Sequence, residues 1–257
     1  MATQSVKSVE RAVDVLDAIR AAGGSMGVTE LSRELGLAKS TVHRLLVALT
    51  RKGMLRQDCK TEHYVFGHKV LEMANAAAQY LDIISVAMPY LEELRDRTGE
   101  TAALALKVGR QYSYVVQAVS PKEHRVNPVL GRNYPLHWAA TGKAILSAVP
   151  VAELEECLKV VPELRSTERT VTDVHVLREQ LAQLTRDGYA TSFGERNIGS
   201  VAIAAPVRNR RGYAYGAACL VGPESRIRRE DAHALGPVVA EIAHKIEVTC
   251  QALGIEN

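Results

Sequence analysis

The sequence predicts an α+β protein made of a small helical head, a linker helix and a larger α/β body. Its 257 residues are 47% hydrophobic and 24% charged, which is the balance of one or two ordinary globular domains. The spacing of apolar residues changes twice along the chain. It passes from short helices with a hairpin to one long helix, and then to alternating strands and helices. These changes predict three parts, residues 1–68, 69–99 and 100–257.

The head is predicted to contain three helices followed by a β-hairpin. Apolar residues at helical spacing predict helices over residues 8–22, 29–35 and 39–52, with glycines between them. Two short strands are predicted at 54–57 and 63–66, around a polar turn. A short helix, a glycine turn, a longer helix and a hairpin together make a winged helix-turn-helix.

The third helix of the head carries the residues that suit nucleic acid. Its apolar stripe leaves basic and hydroxyl side chains on the other side, with no acidic residue among them. An α-helix fits the major groove of DNA, where arginine can bond guanine through two hydrogen bonds. The alternative is a helix face that is merely solvated. The candidate DNA-binding residues are Lys39, Ser40, Thr41, His43, Arg44 and Arg51.

Charge is distributed unevenly along the chain. The first 68 residues hold ten lysines and arginines against seven acidic residues, whereas the remaining 189 hold 22 of each sign. A basic head on a neutral body favours a polyanionic partner, although an excess of this size can also arise by chance.

The linker is predicted as one long helix with a heptad seam. The seam runs through Val70, Ala74, Ala77, Leu81, Ile84, Met88 and Leu91. Such a seam pairs helices from two chains, so we expect a homodimer. The alternative is a helix that packs against its own domain.

Other classes of protein lack support in the sequence. No apolar run approaches the roughly 18–20 residues that span a bilayer, and the first ten residues do not resemble a signal peptide. The four cysteines are scattered, and catalytic, metal and cofactor motifs are missing. We therefore expect a cytoplasmic protein that is not an enzyme and needs no cofactor or metal.

One segment of the body, residues 136–144, combines a loop, a helix start and several small residues. Unpaired amides at a helix N-terminus attract anions. A helix start that simply packs on the sheet is the alternative. The prediction is that the amides of Ala140, Thr141 and Gly142 hold a ligand carboxylate.

Six stretches of the chain closely resemble the IclR family of bacterial transcriptional regulators. They are residues 28–32 (VTELS), 39–46 (KSTVHRLL), 64–67 (YVFG), 135–137 (PLH), 141–144 (TGKA) and 203–207 (IAAPV). The resemblance implies a winged-helix head, a linker helix and a GAF-like effector domain. It also implies dimers, or dimers of dimers, on operator DNA, regulated by a small organic acid.

The resemblance also implies where the effector binds. Positions that contact the effector in family members are represented here by Ala140, Thr141, Ser192, Ala202, Cys219 and Val221. Ala202 and Val221 make this lining apolar, which favours a larger acid, such as an aromatic one, over an acid of two or three carbons.

The sequence therefore predicts a ligand-responsive DNA-binding regulator, with repression favoured over activation and a near-palindromic operator. Two alternatives remain at this point. One is a DNA-binding protein that takes no ligand, and the other is an enzyme that uses Cys219 or a histidine.

Overall fold

The computed structural model describes residues 6–80 and 82–255, with residues 75–80 and 82 described by their backbone alone. The chain divides into two compact units, residues 1–81 and 82–257. The three-part division at residues 68 and 99 stays a prediction. In the described part of the chain, no helix is long and apolar enough to cross a membrane.

The first unit is a winged helix-turn-helix. Its β-strands form one sheet in the order β1-β3-β2, with antiparallel neighbours. Strand β1 is a two-residue addition that the sequence pattern does not predict. The elements are α1 (Lys7–Ala21), β1 (Ser25–Met26), α2 (Val28–Glu34), α3 (Lys39–Arg51), β2 (Leu55–Gln57), β3 (Tyr64–Phe66) and α4 (His68–Tyr80).

The turn between α2 and α3 is set by local chemistry. The carboxylate of Glu30 accepts a hydrogen bond of 2.9 Å from the Gly27 amide, which satisfies a free donor at the start of α2. Gly36 has a φ of +62°, a conformation that suits glycine, and it ends the helix. The Ser32 hydroxyl then donates to the Leu37 carbonyl at 2.6 Å, which closes the turn.

The described linker residues are helical on both sides of residue 81, in α4 (His68–Tyr80) of the first unit and in α5 (Asp82–Thr98) of the second. One continuous helix across residue 81 stays a prediction. Two seam positions, Leu81 and the Ala77 side chain, lie outside the described residues. The prediction is wrong for Leu91, which is fully buried on the face of α5 that packs within its own unit. The Tyr90 hydroxyl lies 2.9 Å from that of Thr249 in this packing.

The second unit is built on a six-stranded antiparallel sheet in the order β6-β5-β4-β9-β8-β7. The short strand β6, which contains a proline, is absent from the sequence-based prediction. The remaining strands and helices are β4 (Thr101–Val108), β5 (Gln111–Ala118), β6 (Asn133–Pro135), α6 (Ala139–Leu146), α7 (Val151–Leu158), α8 (Val174–Asp187), β7 (Ala190–Phe193), β8 (Ser200–Arg208), β9 (Ala214–Pro223) and α9 (Arg229–Leu253).

Helices cover this sheet. Helices α5 and α9 pack against strands β4 and β8, and α6 packs against β7, β8 and β9. Because side chains alternate along a strand, one set of strand residues shares a hydrophobic cluster with α6. Cys219, Val221 and Ala202 belong to that set, which places three of the predicted effector residues in the same cluster as the start of α6.

Candidate DNA-binding face and effector pocket

The exposed face of α3 carries five of the six predicted DNA-binding residues. Thr41 is half-buried at the edge of this face. Among the residues that the structure describes, none forms an ion pair with Lys39, Arg44 or Arg51. The exposed residues are Lys39, Ser40, His43, Arg44 and Arg51.

Helix α3 is fixed from its other side. Val42 and Leu46 are fully buried in the core of the head, which also contains Ile19 and Leu31. The exposed side chains therefore project from a rigid support. The absence of acidic residues in α3 leaves that face positively charged, as a helix in the major groove requires.

The β2–β3 hairpin adds two basic side chains that the sequence analysis did not single out. Arg56 and Lys60 are exposed on it. The tip is held by the Asp58 carboxylate, which accepts hydrogen bonds of 3.0 Å from the amides of Lys60 and Thr61. Such a wing can contact the DNA backbone beside the groove.

In the second unit, three predicted effector residues form one row across three strands. Ser192 pairs with Ala202, and Ala202 pairs with Val221. All three line a cavity of about 10 Å³. A cavity of that size is about the smallest that holds one water molecule, so the side chains around it nearly fill the pocket.

Three tyrosines that the sequence analysis did not assign form the aromatic wall of this region. The rings of Tyr112, Tyr114 and Tyr134 lie 5.4–6.1 Å apart between centroids. The Tyr114 hydroxyl lies 3.0 Å from that of Thr141 on α6. Burial raises the pKa of Tyr112 to about 12, so this ring carries a neutral phenol.

Arg196 lies on this aromatic wall and also lines the small cavity. Its guanidinium carbon is 4.8 Å from the centroid of the Tyr134 ring and 5.2 Å from that of Tyr114. It donates a hydrogen bond of 3.1 Å to the Tyr114 hydroxyl. Within residues 6–80 and 82–255, no carboxylate forms an ion pair with it. The sequence analysis missed Arg196 because a polar segment between two glycines looks like an ordinary surface turn.

The backbone that carries Arg196 is held by three hydroxyl groups, which we call the hydroxyl clasp. Thr167 donates to the Gly194 carbonyl at 2.8 Å, and Thr170 donates to the Glu195 carbonyl at 2.7 Å. Ser166 donates to the Arg196 carbonyl at 2.8 Å. Three consecutive carbonyls are thereby satisfied by side chains from the segment that precedes α8, which fixes this turn.

A carboxylate of the protein lies beside the first residue of α6. Glu195 accepts a hydrogen bond from the Ala139 amide. Its oxygens lie 2.6–2.7 Å from Nζ of Lys143, which also donates to Gln180 at 2.7 Å. Glu195 and Lys143 are 8% and 2% exposed. Burial raises the pKa of Glu195 and lowers that of Lys143, because it disfavours both charges.

The expectation that the amides of Ala140, Thr141 and Gly142 hold a ligand carboxylate stays a prediction. Glu195 lies beside the Ala139 amide, which precedes them, and its charge is balanced by Lys143 of the same helix. Ala139 has a φ of +56°, an uncommon value for a residue other than glycine.

The other predicted effector residues lie behind the cavity. Ala140 is fully buried beneath the sheet face. A side chain at Gly142 would meet the Leu136 carbonyl at 2.5 Å, so packing alone requires glycine there. Burial raises the pKa of Cys219 to about 11, so its thiol is neutral and inert as a nucleophile. Their contact with an effector stays a prediction.

His137 and Trp138 hold the loop before α6 through contacts with one carbonyl group. His137 Nε2 lies 3.1 Å from the Leu164 carbonyl, and the Trp138 indole donates to the same oxygen at 3.3 Å. Burial lowers the pKa of His137. In the described part of the chain, no group of three or more potential ligand side chains could hold a metal ion.

Two family models together match most of the chain. The IclR helix-turn-helix domain matches residues 8–58, and the model described as bacterial transcriptional regulator IclR C-terminal matches residues 75–248. The first match lies within the winged head. The second begins in α4 and covers most of the second unit.

Individual relatives cover nearly the full length. The transcriptional regulator BhcR of Paracoccus denitrificans is 31% identical, with 94% of this chain and 86% of BhcR covered. The transcriptional repressor AllR of Klebsiella pneumoniae is 29% identical over 99% and 93%. An IclR homologue of Microbacterium hydrocarbonoxydans in complex with 4-hydroxybenzoate has the same fold, with a TM-score of 0.82 and 24% identity over 95% and 99%. The chain therefore belongs to the IclR family of bacterial transcriptional regulators, which are DNA-binding proteins and not enzymes.

Proposed function

We propose that this regulator binds a small organic carboxylate in the pocket beside Ser192, Ala202 and Val221, and that an aromatic acid is its effector. The head binds operator DNA, and effector binding changes that affinity. Repression is the favoured mode, as the name of the relative AllR states for that protein.

The observation that carries this proposal is the cross-strand row of Ser192, Ala202 and Val221. The cavity beside this row is also lined by Arg196, which stacks on the aromatic wall. Tyr112, Tyr114 and Tyr134 offer ring faces and edges, which favour planar aromatic partners. The complex of the Microbacterium homologue with 4-hydroxybenzoate supports the same class of ligand. An acid of two or three carbons would leave most of the aromatic wall without a contact.

We further propose that the protein acts as a homodimer or a dimer of dimers on a near-palindromic operator. Leu71 and Met73 of α4 are 68% and 54% exposed, which leaves apolar surface available for a second chain. Two heads related by a twofold axis would contact half-sites about one helical turn apart, or a multiple of that distance. Sedimentation as a stable monomer at micromolar concentration, or a footprint over one asymmetric half-site, would contradict this.

The test of the effector site is to fill the cavity. Calorimetric titration of the wild type with benzoate, 4-hydroxybenzoate, phenylacetate, acetate and glyoxylate identifies the acids that bind. Ala202→Leu should abolish that binding by occupying the cavity, whereas Ala202→Ser, the matched control of similar volume, should keep it. Both variants should bind the operator selected by the wild type from random duplexes, since Ala202 lies in the other unit. Unchanged acid binding by Ala202→Leu places the site elsewhere.

A further inference from the structure

We infer that Arg196 determines the specificity of the pocket: its planar guanidinium occupies the place on Tyr114 and Tyr134 that the effector ring takes, and then pairs with the effector carboxylate. This inference rests on the proposed function and deepens it. It names the group that recognises the acid and the surface that the ring covers.

The first argument is shape. A guanidinium and a benzene ring are both planar, and both pack against the faces and edges of tyrosine rings. The Arg196 guanidinium lies 4.8 Å from one ring centroid and 5.2 Å from the other. With Arg196 in this position the cavity measures about 10 Å³. A bound ring therefore needs the space that the guanidinium fills.

The second argument is charge. Arg196 is partly buried, and among the described residues no carboxylate pairs with it. Its neighbour Glu195 is committed to Lys143 and to the Ala139 amide. Arg196 is thus the cation of this pocket that lacks an anionic partner within the described residues, whereas the charge of Lys143 is already balanced by Glu195. An incoming carboxylate therefore meets attraction at Arg196.

The third argument is that the turn stays in place when the side chain moves. The hydroxyl clasp of Ser166, Thr167 and Thr170 holds the carbonyls of residues 194–196. The Arg196 side chain can leave the tyrosine rings while its backbone remains fixed. A larger cavity of about 570 Å³ is lined by Ser192 and Glu195, so space for rearrangement lies next to the small one.

The test compares acids with their neutral amides. Benzoate and 4-hydroxybenzoate, each with its carboxamide, are titrated into the wild type, Arg196→Gln and Arg196→Lys by calorimetry. The wild type should prefer each acid over its amide by about 10- to 100-fold, the size of a hydrogen bond to a charged group. Arg196→Gln should bind the acid more weakly and the amide more tightly, because the rings no longer carry the guanidinium. Arg196→Lys should keep part of the preference.

The matched control is Arg229→Gln. Arg229 also stacks on an aromatic ring, with its guanidinium carbon 4.6 Å from the Phe193 centroid, but it lines the larger cavity. This variant should keep the wild-type preference for acids. An equal loss of acid and amide binding in Arg196→Gln would mean that Arg196 only supports the fold, and unchanged preference would mean that the carboxylate binds elsewhere. Either result overturns this inference and leaves the proposed function standing. Failure of the wild type to bind any carboxylate overturns the proposed function as well.

Discussion

Arg44 on α3 and Arg196 before β8 both lack a carboxylate partner among the described residues, but their surroundings are opposite. Arg44 is exposed beside other basic and hydroxyl side chains of one helix. Arg196 is partly buried on two tyrosine rings that come from different strands. The exposed side chains of α3 suit a long polyanion, whose many phosphates need an open face. Arg196 with its two tyrosine rings suits one small, flat anion.

The largest expected effect is on the free energy of unfolding and concerns the buried ion pair of Lys143 and Glu195. Lys143→Met should leave the Glu195 carboxyl buried without its partner and lower the free energy of unfolding by about 3–5 kcal/mol. The double change Lys143→Met with Glu195→Gln should recover much of this loss, because it removes both charges. Urea unfolding at pH 7 measures the difference.

The control for Lys143→Met is a substitution in a solvent-exposed ion pair. Lys159 lies near Glu156 on the surface, where it is 68% exposed. Lys159→Met should change the unfolding free energy far less, since exposed pairs contribute little. Equal losses in the two variants would show that the enclosed pair is not special.

A smaller effect, on operator affinity, is expected at the exposed face of α3. Arg44→Ala should weaken binding to the selected operator by about 1–3 kcal/mol if Arg44 bonds a base edge. Arg51, at the end of α3, should instead contact phosphate. Arg51→Ala should weaken binding to all sequences alike and reduce the slope of affinity against salt by about one. Fluorescence anisotropy at several salt concentrations distinguishes the two residues.

The matched control for Arg44 is Arg186→Ala, an exposed arginine on α8 of the other unit. It should leave operator affinity unchanged. If Arg44→Ala binds the selected operator like the wild type at fixed salt, α3 does not read bases through this residue.

The smallest expected effect depends on pH. Glu100 accepts hydrogen bonds of 2.6 and 2.8 Å from Arg226 and one of 3.0 Å from Lys122. Burial alone would raise the pKa of Glu100, but these hydrogen bonds outweigh it and hold the pKa below its usual value of 4.5. The stabilisation is therefore present above about pH 4.5 and is lost as the pH falls through the lowered pKa.

Glu100→Gln tests this sign. At pH 7 it should lower the unfolding free energy by about 1–2 kcal/mol, and its difference from the wild type should shrink towards pH 3. Denaturant titrations across that range measure it. A difference that grows on acidification would contradict the assigned pKa direction.

The sequence predicted which side of α3 faces solvent, because that depends on local spacing alone. The apolar stripe was placed inside and Arg44 outside, and the burial of Val42 and Leu46 and the exposure of Arg44 confirm both placements. In such a helix the pattern of one element decides which side chains face outwards.

The residues around Arg196 are distant in sequence, so local patterns did not predict that they meet. The resemblance to the IclR family named Ser192, Ala202 and Val221, and the structure places these three side by side on neighbouring strands. Arg196 meets Tyr114 across 82 positions, and no local pattern signals that contact. The carboxylate of Glu195 likewise reaches the start of α6 from a distant segment, and no local pattern signals that contact.

The hydroxyl clasp has a consequence for engineering a biosensor. Its hydrogen bonds end on main-chain oxygens, so they are indifferent to which amino acid occupies position 196. A library varied at that one position would keep the same loop while presenting different groups to Tyr114 and Tyr134. If the proposed acid effector is confirmed, such a library offers a route from detecting acids to detecting neutral or cationic aromatic compounds, with the DNA-binding head left as it is.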